Sequence, residues 1–228
     1  MNSVIVENLI SLGLTRQEAA IYLELLRHGD LTGYELSKET GISRSNVYTS
    51  LAGLAEKGAA FLIEGESTKY TPVSMKNFVQ NTLRTLAEKG DFLIEHTPTT
   101  VEQSTGYITI LGAQNIRNKI SQMIRDCKLR IYFMAPAKII SDYKNELQEL
   151  ADQERKIVIL TDGFKLDGAK IYNTEVEQNQ IRLITDSAFV LTGELTGDEH
   201  DSCLYSGQKN LVAVMKEALK NKITLLGK

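Results

Sequence analysis

Histidine and cysteine are almost missing from this chain: its 228 residues include three histidines and two cysteines. Cys127 and Cys203 stand far apart with no metal-ligand spacing around them, the pattern of buried reduced thiols and not of a disulfide or a zinc site. No glycine-rich phosphate loop and no serine, histidine and acid set is visible, so no cofactor is expected. No apolar run approaches the roughly 18 residues that a bilayer span requires. The first residues, Met1 to Glu7, carry no basic segment ahead of an apolar one, which argues against a secretory signal and for a cytoplasmic protein without a membrane partner. Hydrophobic residues make up 42% of the chain and charged ones 24%, which suits one large or two modest globular domains.

The informative stretch is residues 31–54. Leu36 marks one short helix, and Ile42, Val47, Leu51 and Leu54 mark a turn and a second helix at helical spacing. Gly41 suits the left-handed conformation that stops a helix, and Ser43 suits the cap of the next. This is the order of parts in a helix-turn-helix, whose second helix presents its first residues to base edges in a DNA groove. Residues 61–63 and 69–71 then read as two strands around the polar tip 64–68, so the spacing predicts a winged helix. Upstream, Thr15-Arg16-Gln17-Glu18 is a capping box that opens an apolar helix through Ala19, Ala20, Ile21, Leu23, Leu25 and Leu26.

These residues resemble the TrmB-type transcriptional regulators. The likeness is carried by Leu12-Gly13-Leu14-Thr15-Arg16-Gln17-Glu18-Ala19, by Tyr22-Leu23, by Gly41-Ile42-Ser43-Arg44-Ser45-Asn46-Val47-Tyr48 and by Leu54-Ala55-Glu56-Lys57-Gly58, and covers about the first third of the chain. The resemblance implies a sequence-specific DNA-binding regulator, usually dimeric, with an effector or sensor domain behind the winged helix.

Charge runs against a DNA-binding domain. Residues 1–73 hold six basic side chains against nine acidic ones, whereas affinity for a duplex draws on phosphate neutralisation. The expected resolution is clustering: Lys38, Arg44 and Lys69 flank the reading helix and wing, while Glu7, Glu24 and Glu56 face elsewhere. Arg44 has the reach to bond a guanine edge, the alternative being a solvated or phosphate-facing arginine. Ser43, Ser45, Asn46, Tyr48 and Thr49 belong to the same helix start, with Asn46 suited to adenine and Tyr48 either to phosphate and thymine methyl or to packing under the wing. Lys69 is the expected backbone contact of the wing, or else an ordinary surface lysine.

Residues 74–96 read as a connecting helix with Met75, Val79, Thr82, Leu86 and Leu93 near a heptad pattern that Lys89 and Gly90 interrupt. Such a helix needs a partner, either its twin in a homodimer or its own C-terminal domain. Residues 97–106 read as a linker. From 107 to 228 strands alternate with helices: strands at 107–111, 129–135, 157–161, 181–185, 189–192 and 203–206, helices at 114–127, 138–153 and 209–219. The pattern is an α/β layer around a mostly buried sheet. Its order resembles a phospholipase D-like domain. That enzyme family uses a histidine followed two residues later by a lysine, whereas His28, His96 and His200 are followed by Asp30, Pro98 and Ser202. Arg182 and Asp186 lie near where the motif would fall, and arginine cannot act as the nucleophile.

Asp162, after a strand, and Asp186, in a turn, are the candidates for an effector pocket, with ordinary turn aspartates as the alternative. Asp198, His200 and Asp201 form a possible divalent-metal loop whose plainer reading is a solvated loop. The expected protein is therefore a non-catalytic two-domain regulator, winged helix-turn-helix (1–73) followed by an α/β domain (107–228), with double-stranded DNA, a second copy of itself and a small-molecule effector as partners. The rival readings are a phosphodiesterase or nuclease with a DNA-binding adaptor, and a winged helix that binds protein.

Overall fold

A computed structural model of the chain describes residues 3–65, 67–98 and 106–226. It divides into two compact units, Met1–Thr100 and Val101–Lys228. Most of the expected linker 97–106, and Glu66 of the wing tip, lie outside the described residues.

The first unit opens with α1 (Ser3–Ser11) and α2 (Arg16–His28). The Thr15 capping box forms as its sequence predicts: Glu18 N–H donates to Thr15 Oγ1 at 3.2 Å, and Thr15 N–H to Glu18 Oε2 at 2.6 Å. Next come β1 (Leu31–Thr32), α3 (Gly33–Thr40) and α4 (Arg44–Glu56), then β2 (Ala60–Ile63), β3 (Lys69–Pro72) and α5 (Met75–His96). Among the described residues β1, β3 and β2 form a three-stranded antiparallel sheet in that order. The two-residue β1 gives no periodic signal of its own; it pairs Leu31 with Tyr70 and Thr32 with Lys69.

The face that α2 buries is centred on Ala19, Ile21, Tyr22 and Leu25, while Leu23 and Leu26 are only partly covered. Tyr22 is fully buried, its hydroxyl donates to Val73 C=O at 2.8 Å, and its ring meets Phe78 with centroids 5.4 Å apart. Burial pushes the Tyr22 phenol up to about 12. This cluster anchors the first turn of α5 in the winged-helix core through Phe78, which the expected heptad omitted.

The second unit contains β4 (Tyr107–Leu111), α6 (Ala113–Arg125), β5 (Arg130–Met134), α7 (Ala137–Ser141), α8 (Lys144–Asp152) and β6 (Lys156–Thr161). It continues with β7 (Lys170–Asn173), β8 (Gln180–Thr185), β9 (Phe189–Glu194), β10 (Ser202–Ser206) and α9 (Lys209–Leu226). Among the described residues seven strands form one sheet in the order β4-β10-β9-β8-β5-β6-β7. Pairing is antiparallel from β4 across to β5 and parallel only between β5, β6 and β7. The alternation of side chains along each strand divides the core. Ile131, Phe133, Ile159 and Leu183 face α6 and α8, whereas Met134, Val158, Leu160 and Ile184 face α9.

Three departures from the expected elements have local causes. The single helix over 138–153 is two, because Tyr143 leaves helical geometry (φ −110°, ψ 15°) with its buried ring 6.1 Å from that of Phe133. The last helix runs to Leu226 and not 219, since no glycine or proline interrupts it and Ile223 still packs on the core. Strand β7 was not expected; it is short, and its pairing with β6 is what defines it. The turn at Asp186-Ser187 is where the pattern placed it. Both residues have positive φ, 53° and 56°, and Ala188 N–H donates to Thr185 C=O at 2.9 Å, as in a type I′ hairpin turn.

One buried or hydrogen-bonded carboxylate within each unit supports that unit's fold and is open to test. Glu18 is buried, takes an ion pair from Lys57 Nζ at 2.6 Å, and packs where any Cβ on Gly53 of α4 would collide with it. Glu18→Ala removes a cap partner and strands Lys57, and is expected to cost about 2 kcal/mol, read as a lower urea midpoint of the first unit. Asp186 accepts N–H groups of Lys128, Leu129 and Arg130 at 2.9, 2.7 and 3.0 Å. Burial raises its carboxyl, but these three donors outweigh that and hold it below the ordinary range. A folded-state pKa below the unfolded one stabilises above about pH 4 and is lost as pH falls through the folded value. Asp186→Asn keeps one acceptor in the same left-handed turn. It is expected to cost about 1–2 kcal/mol at pH 7 and to flatten the acid limb of stability, checked by urea melts at pH 7 and pH 3.

Candidate nucleic-acid interface

The turn between α3 and α4 is built by short-range bonds. Gly41 adopts φ 71° and ψ 5°, closing α3 by donating to Ser37 C=O at 3.1 Å. Ser37 Oγ donates to Ile42 C=O at 2.7 Å, and Thr40 Oγ1 to Leu36 C=O at 2.6 Å. A second capping box, Thr32 with Glu35, starts α3. Its bonds to Thr32, joined by the nearby Lys69 ammonium, outweigh a small desolvation effect and keep the Glu35 carboxyl ionised below its ordinary range.

Helix α4 buries Val47, Ser50, Leu51 and Leu54. With those positions fixed inward, Ser43, Arg44, Ser45, Asn46, Tyr48 and Thr49 are all exposed. Ser43 stands at the cap position but makes no cap bond; its hydroxyl lies 3.3 Å from that of Ser45. Thr49 Oγ1 donates back to Ser45 C=O at 3.0 Å, which leaves it acceptor capacity. Tyr48 lies over Gly33, where a Cβ would stand 2.7 Å from its ring, so its inner edge packs on the start of α3. The other half of the residue is exposed.

The cations are sorted by what they touch. Arg16 pairs with Glu7 at 2.6 Å, Arg27 with the buried Glu24 at 2.7 Å, and Lys57 with Glu18. Among the described residues no carboxylate forms an ion pair with Lys38, Arg44 or Lys69. Lys38 Nζ and the Arg44 guanidinium instead lie 4.7 and 4.5 Å from the centroid of one ring, that of Tyr34, which is 44% exposed. Cation–π attraction holds two like charges beside one another at the start of α4. Tyr34 was not among the expected residues; the signal for it was its spacing of four from Lys38 on α3. Lys69 is exposed at the start of β3, in register with Thr32.

The effector candidates in the second unit serve the fold. Asp186 ties the β8–β9 turn to residues 128–130, as above. Asp162 Oδ1 accepts the N–H of Ala137, the first residue of α7, at 2.6 Å. In the loop after β9, Asp201 accepts from Thr196 N–H and Oγ1 and from Gly197 N–H, and Asp198 from His200 N–H. Both cysteines are buried free thiols, and burial first of all raises Cys127 to about 11 and Cys203 to about 12.

Comparison with known proteins agrees with this anatomy. The chain is 28% identical over 177 residues to the protein YrhO of Bacillus subtilis (strain 168), covering 75% of this chain and 64% of that one. It is 26% identical over 153 residues to the HTH-type sugar sensing transcriptional regulator TrmBL1 of Pyrococcus furiosus, covering 65% of this chain and 45% of that one. It therefore spans less than two thirds of the length of either relative. Among solved structures, TrmBL2, an archaeal chromatin protein, aligns over 98% of both chains with a TM-score of 0.49 and 19% identity. Residues 9–76 match the family described as sugar-specific transcriptional regulator TrmB, and residues 107–215 match the family described as transcriptional regulator TrmB, EBD N-terminal subdomain. With both units matched in order, the chain belongs to the TrmB family of transcriptional regulators.

Proposed function

We propose that this protein is a dimeric, sequence-specific DNA-binding regulator of transcription whose second unit senses a small molecule. The observation that supports it most is the bare row Ser43, Arg44, Ser45, Asn46, Tyr48 and Thr49 at the start of α4, with Lys38 beside it and Lys69 on the wing. Arg44 and Asn46 read bases, Ser43, Ser45, Tyr48 and Thr49 position the helix in the groove, and Lys38 and Lys69 hold phosphates. The reading is non-catalytic, because the chain has no histidine followed two residues later by lysine. Among the described residues no helix is long and apolar enough to cross a membrane.

Dimerisation is assigned to α5. Beyond Phe78 it carries an apolar row, Val79, Leu83, Leu86, Gly90 and Leu93, spaced four, three, four and three, with the three leucines exposed and Val79 and Gly90 partly buried. That row is a heptad seam. It runs through Leu83 where Thr82 was expected, and Gly90 falls within it, so the glycine continues the seam as a small residue and does not break it. A two-fold dimer doubles the phosphate contacts of each weakly charged winged helix and sets the separation of two half-sites. Effector binding that favours one separation over another couples the sensor to DNA.

The operator is obtained from the genomic sites that the protein occupies. Arg44→Ala is expected to weaken binding to it by roughly ten- to a hundredfold, the range of one good base contact, with an unchanged far-UV spectrum; full retention removes Arg44 from the interface. Binding should also fall steeply with salt, and a shallow dependence favours the protein-interaction reading. For the dimer, sedimentation at micromolar concentration should give twice the chain mass, and Leu83→Asp with Leu86→Asp should give monomer. A wild-type monomer overturns the assignment of α5.

A further inference from the structure

The sheet of the second unit is covered unevenly. Between α9 and strands β5 to β8 lies a cavity of about 610 Å³, within the range of small-molecule sites. Its floor is apolar, with Val158, Ile184 and Leu219 buried beneath it. The rings of Tyr132 and Tyr172 line it as well. Tyr132 pairs in register with Val158, and Val158 with Lys170, so these side chains rise from one face of the sheet.

The rim is basic. Lys156 and Lys170 open β6 and β7, and Lys216 and Lys220 lie one turn apart on α9. Glu217 is the one carboxylate among the lining residues, and among the described residues none of the four lysines is in an ion pair. Residues 101–228 carry 17 basic and 17 acidic side chains, so this concentration is local and not a consequence of a basic domain. Four ammonium groups around one apolar opening repel one another and raise the local potential for an anion.

We propose that this cavity is the effector site and that it takes a small organic polyanion with a ring or apolar body, such as a phosphate ester, in preference to a neutral molecule. The word effector rests on the regulator reading above; the binding itself does not. The aromatic and aliphatic floor receives the body of the ligand, and lysines from the sheet and from α9 converge on its charged group. A bound anion thereby ties the C-terminal half of α9 to the edge of the sheet, a contact that differs between free and bound states.

Titration calorimetry of the full chain with inorganic pyrophosphate, glucose 6-phosphate and glucose separates charge from sugar recognition. Both phosphates are expected to bind and compete with each other, and glucose to bind at least tenfold more weakly than its phosphate ester. Lys156→Gln with Lys216→Gln is expected to lose tenfold or more in affinity for both phosphates with an unchanged far-UV spectrum. Equal affinity for glucose and its phosphate, no binding of either phosphate, or binding indifferent to the two substitutions overturns the proposal. So does a loss of operator binding by the double variant in the absence of any small anion, which would make these lysines duplex contacts. Phosphate binding by a chain that binds no DNA supports the site and sinks the regulator reading instead.

Discussion

The rotation of α4 about its own axis is the constraint on which the first unit depends. Val47, Leu51 and Leu54 are fully buried, and each is worth about 2 kcal/mol of apolar burial, so no rotation that exposes them competes with the native one. That fixes the outer face by geometry: at 100° per residue, Ser45, Tyr48 and Thr49 point away from the core, whereas Arg44, seven residues before Leu51, is exposed as the first residue of the helix. The turn before α4 is equally determined, since Gly41 supplies a conformation that side chains avoid and Ser37 and Thr40 satisfy backbone groups around it. Burial and solvation thus decide the presentation of the polar row before any partner is considered.

Net charge alone does not describe this domain, because four of its nine carboxylates have internal employment. Glu18 and Glu24 are buried against cations from the unit's own surface, Glu35 caps α3, and Glu7 pairs with Arg16. Each such pair withdraws one acid and, except at the cap, one base from the outward field. Lys38, Arg44 and Lys69 remain, the first two gathered on Tyr34, while Asp30, Glu39, Glu56 and Glu64 are likewise in no ion pair among the described residues. Surface ion pairs contribute little to stability; their consequence here is distribution, since the cations beside the start of α4 and on the wing are not among those paired.

How much of this was legible in the sequence varies with the range of the interaction responsible. The Thr15 box, the Gly41 stop, the wing hairpin and the Asp186-Ser187 turn are encoded within a few residues, and all form as their local patterns predict. Features that depend on distant partners were not readable. β1 exists only through its pairing with β3, β7 only through β6, and the break at Tyr143 only through Phe133. Ser43 illustrates a near miss: the residue type and position are those of a cap, yet its hydroxyl turns to Ser45 and the cap bond is not made. On α5 spacing alone put Thr82 in the expected seam; with Phe78 buried in the winged-helix core, Leu83 is exposed, and the proposed seam runs through it instead.

The same distinction separates the two ends of the sheet. Ligands of open parallel sheets gather at the carboxyl ends of strands because loops part there at a topological switch. Alternating strands and helices suggested such an end at Asp162, but pairing is parallel only across β5, β6 and β7. At that end Asp162 receives the start of α7, and Thr174 N–H bonds Thr161 C=O at 2.9 Å, so its polar groups are satisfied by the chain itself. At the amino ends of β6 and β7 the opposite holds. Lys156 and Lys170 begin the strands with no carboxylate paired to them among the described residues, and α9 brings two more lysines over an apolar floor. Those aspartates are already satisfied by the chain, whereas the four exposed lysines are in no ion pair among the described residues and keep their charge available to an anion, an asymmetry that supports the proposed cavity over the aspartates.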